Sequence, residues 1–334
     1  MDWTKGFGAS YYACMVNPET WQDASRFEIT EGSVNRVNTG LRHSADIVSD
    51  NYDGGSDKWI RIWMDVEQDG SYDHIAIFTG LTSTPKESID GATIDKKIQC
   101  YSVLKSADDV RLPIGWYAAR GFVATDVIKQ LLSVCPAPVD IAEGSPRLSQ
   151  HIIAENNETN ATMVDKVLNA IGWRLWIGGD GVIHICPKAE DVSAVFSSIG
   201  SDCIEPPVDV ADDMFSCPNV LRVTSGDNSV TVYDDDPESR LSTVSRGREV
   251  WNEESSAKLG DGESLRSYAK RRLKELQSVS VKLSYSRSYH PNVTVTDLVR
   301  LHYPEQGIEG IFSVASQKIS LDHRATTAEE AMAA

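Results

Sequence analysis

The segment from Asp297 to Leu321 most constrains the fold of this chain, because it reads as two strands joined by a glycine-containing turn. In the first, Val299, Leu301 and Tyr303 share one face while Arg300 and His302 take the other, the two-residue period of a half-buried strand. Pro304, Gln306, Gly307 and Gly310 interrupt it. From Val314 the alternation resumes, with Ala315, Ile319 and Leu321 set against Ser316, Lys318 and Ser320. Such a hairpin has an apolar face it cannot bury alone and edges that need partners, so much of the preceding chain is expected to supply strands.

Upstream, short candidate strands lie near Tyr11 to Val16 and Arg26 to Ile29. A clearer one starts at Lys58, where Ile60, Ile62 and Met64 alternate with Trp59, Arg61, Trp63 and Asp65. Large side chains on both faces suit a strand that packs inward on one side and meets a neighbouring subunit on the other. Turns at Asp69-Gly70 and Asp90-Gly91 return the chain through His74 to Thr79 and Thr93 to Tyr101, which predicts a small antiparallel sheet or barrel. After Ser106 the character changes. A helix is expected from Thr125 to Val134, stopped by Pro136 and Pro138. A second carries Met163, Val164, Val167, Leu168 and Ile171 at helical spacing, with Thr159 or Asn160 as N-cap and Gly172 as left-handed C-cap. A hairpin follows, Trp173 to Ile177 and Val182 to Cys186, around Gly178-Gly179-Asp180-Gly181.

Residues 187–218, with Pro206-Pro207, read as a crossing between domains. Another hairpin runs from Asn219 to Tyr233 around Gly226-Asp227-Asn228, and a third helix from Ser264 to Leu276 turns Lys270, Arg271 and Lys274 outward. A strand from Val279 to Ser286 leads to the closing hairpin. The chain is therefore expected to be α+β and β-rich: β modules at 1–105 and 214–323, the second with one helix, bracket an α/β insertion at 106–213. A small polar tail, 324–334, is expected to be frayed or partner-dependent.

With 334 residues, 41% of them hydrophobic, the chain can build substantial cores. No apolar run approaches the roughly 20 residues that cross a bilayer, so no stable membrane insertion is expected, and folding in a cytosol is. Six cysteines without a Cys-x-x-Cys pair read as buried free thiols. The formal charge of −17 argues against a surface that grips nucleic acid, whereas an acidic wall lets DNA slide past.

No motif carries chemistry. Asp65, Glu67, Asp69 and Gly70 imitate a calcium loop, but Ala76 stands where its closing Glu belongs. The triplet Asp234 to Asp236 reads as a charged loop tip. The seven histidines lack the spacing of a metalloprotease helix, and no nucleophile elbow or phosphate-cradling loop occurs. The chain is thus expected to have no catalytic residues, no metal and no cofactor. The tryptophans Trp59, Trp63, Trp116, Trp173, Trp176 and Trp251 keep open a carbohydrate-binding or glycan-cleaving alternative. A metal-dependent peptidase is a third reading, which the ligand spacing disfavours. The cationic helix face at Lys270, Arg271 and Lys274 reads either as solvated or as a contact for an acidic neighbour.

Several stretches together resemble the hub subunits of bacteriophage tails and related injection machines. They are Trp59-Ile-Arg-Ile-Trp63, Ile77-Phe-Thr-Gly-Leu81, Ile98-Gln-Cys-Tyr101, the helix and aromatic hairpin from Asn160 to Cys186, and Asp297-Leu-Val-Arg-Leu301 with Ser316-Gln-Lys-Ile-Ser-Leu321. The resemblance implies two tube-type β barrels per chain and a homotrimer, so that six barrels continue a sixfold tail tube. It also implies a non-enzymatic virion protein at the tail tip, assembled in the host cytoplasm, that takes part in host attachment and DNA ejection. Its partners would be the tail tube or distal tail protein, the tape-measure protein and tip or fibre proteins, with phage DNA passing through unbound. Subunit contacts would fall at Trp59, Arg61, Trp63 and Asp65, and at Lys270, Arg271 and Lys274.

Overall fold

A computed structural model describes residues 1–90, 93–188, 190–198, 204–212, 214–225, 228–255, 264–278 and 281–333. Parts of the turns expected at Asp90-Gly91 and Gly226-Asp227-Asn228, the start of the strand expected at Val279, and Cys203 lie outside the described residues. The N-terminal part contributes β1 (Gly8–Val16), β2 (Asp23–Glu28), β3 (Glu31–Val37), β4 (His43–Ser49), β5 (Trp59–Gln68), β6 (Ser71–Thr82), β7 (Lys86–Asp90) and β8 (Thr93–Ser102). The insertion holds α1 (Lys105–Asp108), β9 (Tyr117–Ala118), α2 (Ala124–Leu132), β10 (Val139–Ile141), β11 (Ile152–Ile153), α3 (Asn160–Ile171), β12 (Trp173–Ile177) and β13 (Ile183–Pro187). Next come β14 (Val192–Ser197), β15 (Glu205–Asp212), β16 (Val220–Ser225), β17 (Asn228–Tyr233), α4 (Thr243–Arg246), β18 (Trp251–Ser255) and α5 (Leu265–Ser278). The chain closes with β19 (Val281–Ser288), β20 (Leu298–Tyr303), β21 (Ile308–Ser320) and β22 (Thr326–Ala333).

Hydrogen bonding joins both β-rich parts into one sheet of 14 strands, in the order β15, β19, β22, β21, β3, β4, β8, β6, β5, β1, β2. The chain is thus β-rich and largely antiparallel, and no closed barrel is seen among the described residues. The join is β21. Its first half pairs with β20 and its second half with β3, while β22 runs along its other edge. β20 also carries β14 as a parallel neighbour, and β7 pairs with β8.

Two cores lie against this sheet. Ile60, Ile62, Met64, Phe78 and Ile98 fill the first, and Ile319, Leu321 and Tyr289 from the far end of the chain complete it. Phe196, Leu283, Val299, Leu301 and Val314 fill the second. A bulge between Val314 and Ser316 changes the phase of β21. Val314 therefore points inward with Gln317, Ile319 and Leu321, and Ala315 leaves the inward face expected for it.

A polar row runs where the cores meet. The cross-strand partners His43, Arg36, Gln317, Glu329 and Tyr285 follow one another over β4, β3, β21, β22 and β19, and all are buried. Glu329 accepts from Arg287 Nε at 2.9 Å and from Gln317 Nε2 at 2.6 Å, and its side chain and that of Arg287 are 0% and 2% exposed.

Three expectations are corrected. The segment 324–334 holds a central strand, β22, because Thr327, Glu329 and Ala331 have inward sites to fill. Residues 187–218 include two strands of the main sheet, since Ala194, Phe196 and Val208 pack on the second core. The hairpin β16–β17 and α5 stand apart from the main sheet. With β18 they form a three-stranded sheet whose Leu221, Val223 and Val232 pack on Tyr268, Ala269 and Leu273 of the helix.

In the insertion, α2 and α3 pack on the sheet of β10, β13 and β12 around Ile128, Met163, Val167 and Ile183. Thr159 caps α3 in a reciprocal box with Thr162, and Gly172 ends it at φ 69°. The glycine-rich turn after β12 lies on β6: a Cβ at Gly179 would sit 1.8 Å from the Ala76 carbonyl oxygen. Its glycines serve close backbone approach.

Two outcomes test these packing arguments. Glu329→Ala leaves Arg287 buried without its carboxylate and is expected to cost about 3–5 kcal/mol in urea unfolding; a loss below about 1 kcal/mol would contradict the buried pair. Gly179→Ala forces the insertion off β6 and is expected to cost about 1–3 kcal/mol, with faster proteolytic nicking of the insertion; unchanged stability and nicking would contradict the docking.

Candidate interface and channel surfaces

β5 lies between β1 and β6, which leaves its two faces to do different work. Ile60, Ile62 and Met64 are fully buried in the first core. The opposite face carries Trp59, Arg61, Trp63 and Asp65, and the structure divides them. Trp59 packs on the insertion core and on Trp21, ring centroids 5.7 Å apart. Arg61 is buried: it donates to Thr79 Oγ1 at 3.1 Å, Asp23 Oδ1 at 2.6 Å and the Asp180 carbonyl at 3.0 Å. Thr79 in turn donates to the Gly179 carbonyl at 2.7 Å. These two side chains hold the insertion's turn.

Trp63 and Asp65 remain half-exposed. Trp63 lies flat on His74 at 4.0 Å and donates its indole N–H to Asp23 Oδ2 at 2.6 Å. His74 places Nδ1 2.5 Å from Asp65 Oδ1 and Nε2 3.0 Å from the Tyr12 hydroxyl, and Arg26 covers the Tyr12 ring at 3.6 Å. The result is a column of Arg26, Tyr12, His74 and Trp63 with fixed aromatic faces. Rigid, amphipathic rings of this kind are favoured at protein contacts.

The sequence carried one signal for this column. With Asp69-Gly70 at the turn, counting back across the hairpin sets Asp65 opposite His74, which is the observed register. Asp23 had a weaker signal: Asn17-Pro18 marks a turn after β1, but the loop to β2 is too long for counting across it to fix which residues pair.

On α5, Lys270, Arg271 and Lys274 are exposed. Arg271 pairs with Glu275 at 2.7 Å, one turn along the helix. Arg272, behind them, bridges Glu254 and Glu275, both at 3.1 Å. The cationic face is thus partly balanced by its own helix, with Lys270 and Lys274 at its outer rim.

From β8 through β4, β3 and β21 to β19, the face of the main sheet turned away from the cores is polar. It holds two broad depressions, of about 680 Å³ beside Ser33, Asp46, Lys97, Gln99 and Lys318, and of about 490 Å³ beside Ser284, Ser286, Ser316 and Glu330. Both are lined by Lys318 of β21, so the polar face continues across the join. Lys86, Lys97 and Lys318 offset Glu31, Asp46 and Asp209 there, and Glu330 is paired with Lys282 at 2.7 Å. Acidic and basic side chains are therefore closely matched in these two depressions.

The tryptophans that suggested a sugar platform are dispersed. Trp116 and Trp173 pack on the insertion core with Trp59, Trp176 stacks on His184 at 4.0 Å, and Trp251 meets Tyr233 edge-on at 6.1 Å. Among the described residues, no three His, Cys, Asp or Glu side chains gather where they could hold a metal. The acidic triplet is a turn: Asp234 accepts from Ser239 and Gln277, and Asp236 from the Glu238 amide.

No family model and no curated protein matches the chain. Solved structures do. It is similar to the tail protein from Neisseria meningitidis MC58, at 14% identity and TM-score 0.72, over 98% of this chain and 96% of that one. It is also similar to the 43 kDa tail protein of prophage MuSo2 from Shewanella oneidensis, at 12% identity and TM-score 0.68, covering 97% and 98%. A third is prophage tail protein gp18 from Listeria monocytogenes, at 12% identity and TM-score 0.58, covering 97% and 94%. At these identities what is shared is the architecture over nearly the full length of each chain, and the chain has the fold of phage tail proteins, as the sequence resemblance implied.

Proposed function

We propose that this chain is a structural tail-hub subunit: three copies form a ring at the tip of a phage tail, and each copy supplies two wall segments to a tube of six. The observation that carries this reading is the single sheet laid over two cores, whose other face is polar from β8 through β4, β3 and β21 to β19. Each core with its half of the sheet is one wall segment, equivalent to one tube-type barrel module. The polar face lines the channel. Its mixed small hydroxyls and offset charges carry no net positive charge to hold phosphates, which suits passage of DNA.

In this reading the insertion and the small sheet with α5 lie outside the tube. The ring docks on the tail tube or distal tail protein, receives the end of the tape-measure protein, and carries tip or fibre proteins. A ring that closes by head-to-tail contacts needs two different complementary surfaces on each chain. The half-exposed column ending at Trp63 and Asp65, supported from behind by Trp59 and Arg61, is proposed as one. The rim of α5 at Lys270, Arg271 and Lys274 is proposed as the other, facing an acidic surface of the next copy. The role is architectural, with no hydrolytic step.

Sedimentation of the isolated chain, alone and with a distal tail protein, tests this. A trimer without hydrolase activity on glycans is expected. Trp63→Ala is expected to raise the trimer's dissociation constant about thirtyfold, equivalent to about 2 kcal/mol. A stable dimer that turns over a glycan would overturn the assignment.

A further inference from the structure

A cleft separates the insertion from the main sheet, and its lining is at odds with the charge of the chain. It measures about 240 Å³ and is lined by Arg42 from the β3–β4 turn, Asp165 and Asn169 from α3, Arg174 of β12, Lys188 just after β13, and Thr296 before β20. A second chamber of about 20 Å³ lies directly behind it, sharing Asn38, Arg42, Leu175 and Thr296 and adding Arg36 and His43. Arg42 binds Asp165 and the Asn38 carbonyl. Arg174 binds Asp297 at 2.7 Å and Thr296 Oγ1 at 3.0 Å.

These contacts leave donors unused. The Nε atoms of Arg36, Arg42 and Arg174 are buried without a hydrogen-bond partner among the described residues, and so is His43 Nε2, which donates in only one of the two neutral tautomers. Arg36 and His43 are only 8% and 4% exposed. Burial, with Arg36 alongside, pushes the His43 imidazole down to about 3, so this ring is neutral at pH 7. Burial also pulls Arg42 below its ordinary value although Asp165 opposes the shift, so its charge is incompletely compensated. Asp165 and Asp297 match Arg42 and Arg174, and Arg36 in the rear chamber with the exposed Lys188 brings the cations to four against two carboxylates, a local excess of +2 in a chain of formal charge −17. Water can fill the hydrogen bonds, but only an anion also offsets the charge.

We propose that this cleft binds a small free oxyanion, of which inorganic phosphate is representative, with Arg42, Arg174 and Lys188 as its cationic partners and Thr296 as a neutral one. Those groups come from the first β-rich part, the insertion and the closing hairpin. A bound oxyanion therefore staples the insertion to both ends of the chain. The proposal stands apart from the tail-hub assignment, since it concerns one copy of the chain.

The test is calorimetric titration and thermal unfolding of the full-length chain with sodium phosphate, ionic strength held constant with sodium chloride. Saturable binding and a rise in midpoint that follows mass action are expected. Arg42→Gln is expected to weaken binding about tenfold or more, and Lys188→Gln about threefold to tenfold. Lys188 is exposed, so its replacement leaves folding intact and keeps the test sharp if Arg42→Gln does not fold. A phosphate response no larger than that of chloride, or wild-type affinity in Lys188→Gln, would overturn the proposal.

Discussion

The architecture depends on one strand having to satisfy two cores. β21 places Phe312 and Val314 in the second core and Ile319 in the first, with a bulge between to reset its phase. Because side chains alternate, a slip of one residue would turn both apolar sets to the polar face at once. Its neighbours are fixed with it: β3 and β20 share one edge and β22 occupies the other. The polar row at the seam reinforces that register. Glu329 meets Arg287 and Gln317 only when β19, β21 and β22 are correctly offset, and a mismatched offset would bury an unpaired charge.

The insertion is fastened to this frame at both ends. Arg61 and Thr79 hold its glycine turn against β6, and Arg42 reaches Asp165 from the β3–β4 turn. Arg174 reaches the other way, from β12 to Asp297 at the start of the closing hairpin. Charged side chains that a surface reading would leave in solvent thus work inside the chain. That is why the β5 face divides, with Trp59 and Arg61 turned to the insertion and Trp63 and Asp65 left half-exposed.

Much of this was legible from local pattern. The closing hairpin, the three helices, the caps of the second of them, the β12–β13 hairpin and the alternation on β5 follow from short-range chemistry, although β21 starts at Ile308, well before the Val314 where its alternation becomes regular. The clear failures have a common cause. β3 and β4 carry Ser33, Asn35, Ser44 and Asp46 on the polar face and only Gly32 opposite Ile47 on the core face, so their apolar alternation is thin, and their partners lie far along the chain. β22, with its Ala, Thr and Glu, is held by long-range pairing and by the buried Arg287, neither of which a local window contains. The same holds for the surfaces: the Asp65–His74 pair could be counted across a turn, whereas the cleft at Arg42 and Arg174 exists only once distant segments meet.

A sheet with one greasy and one wet face, continuous over two cores, is a natural element of a tube wall, and the proposed ring uses it directly. Imaging of the assembled tail tip by electron cryo-microscopy tests the orientation of that sheet. The account predicts three copies per ring with Asp46, Ser316 and Lys318 bordering the lumen. Six copies per ring, or those residues on the outer surface, would contradict it.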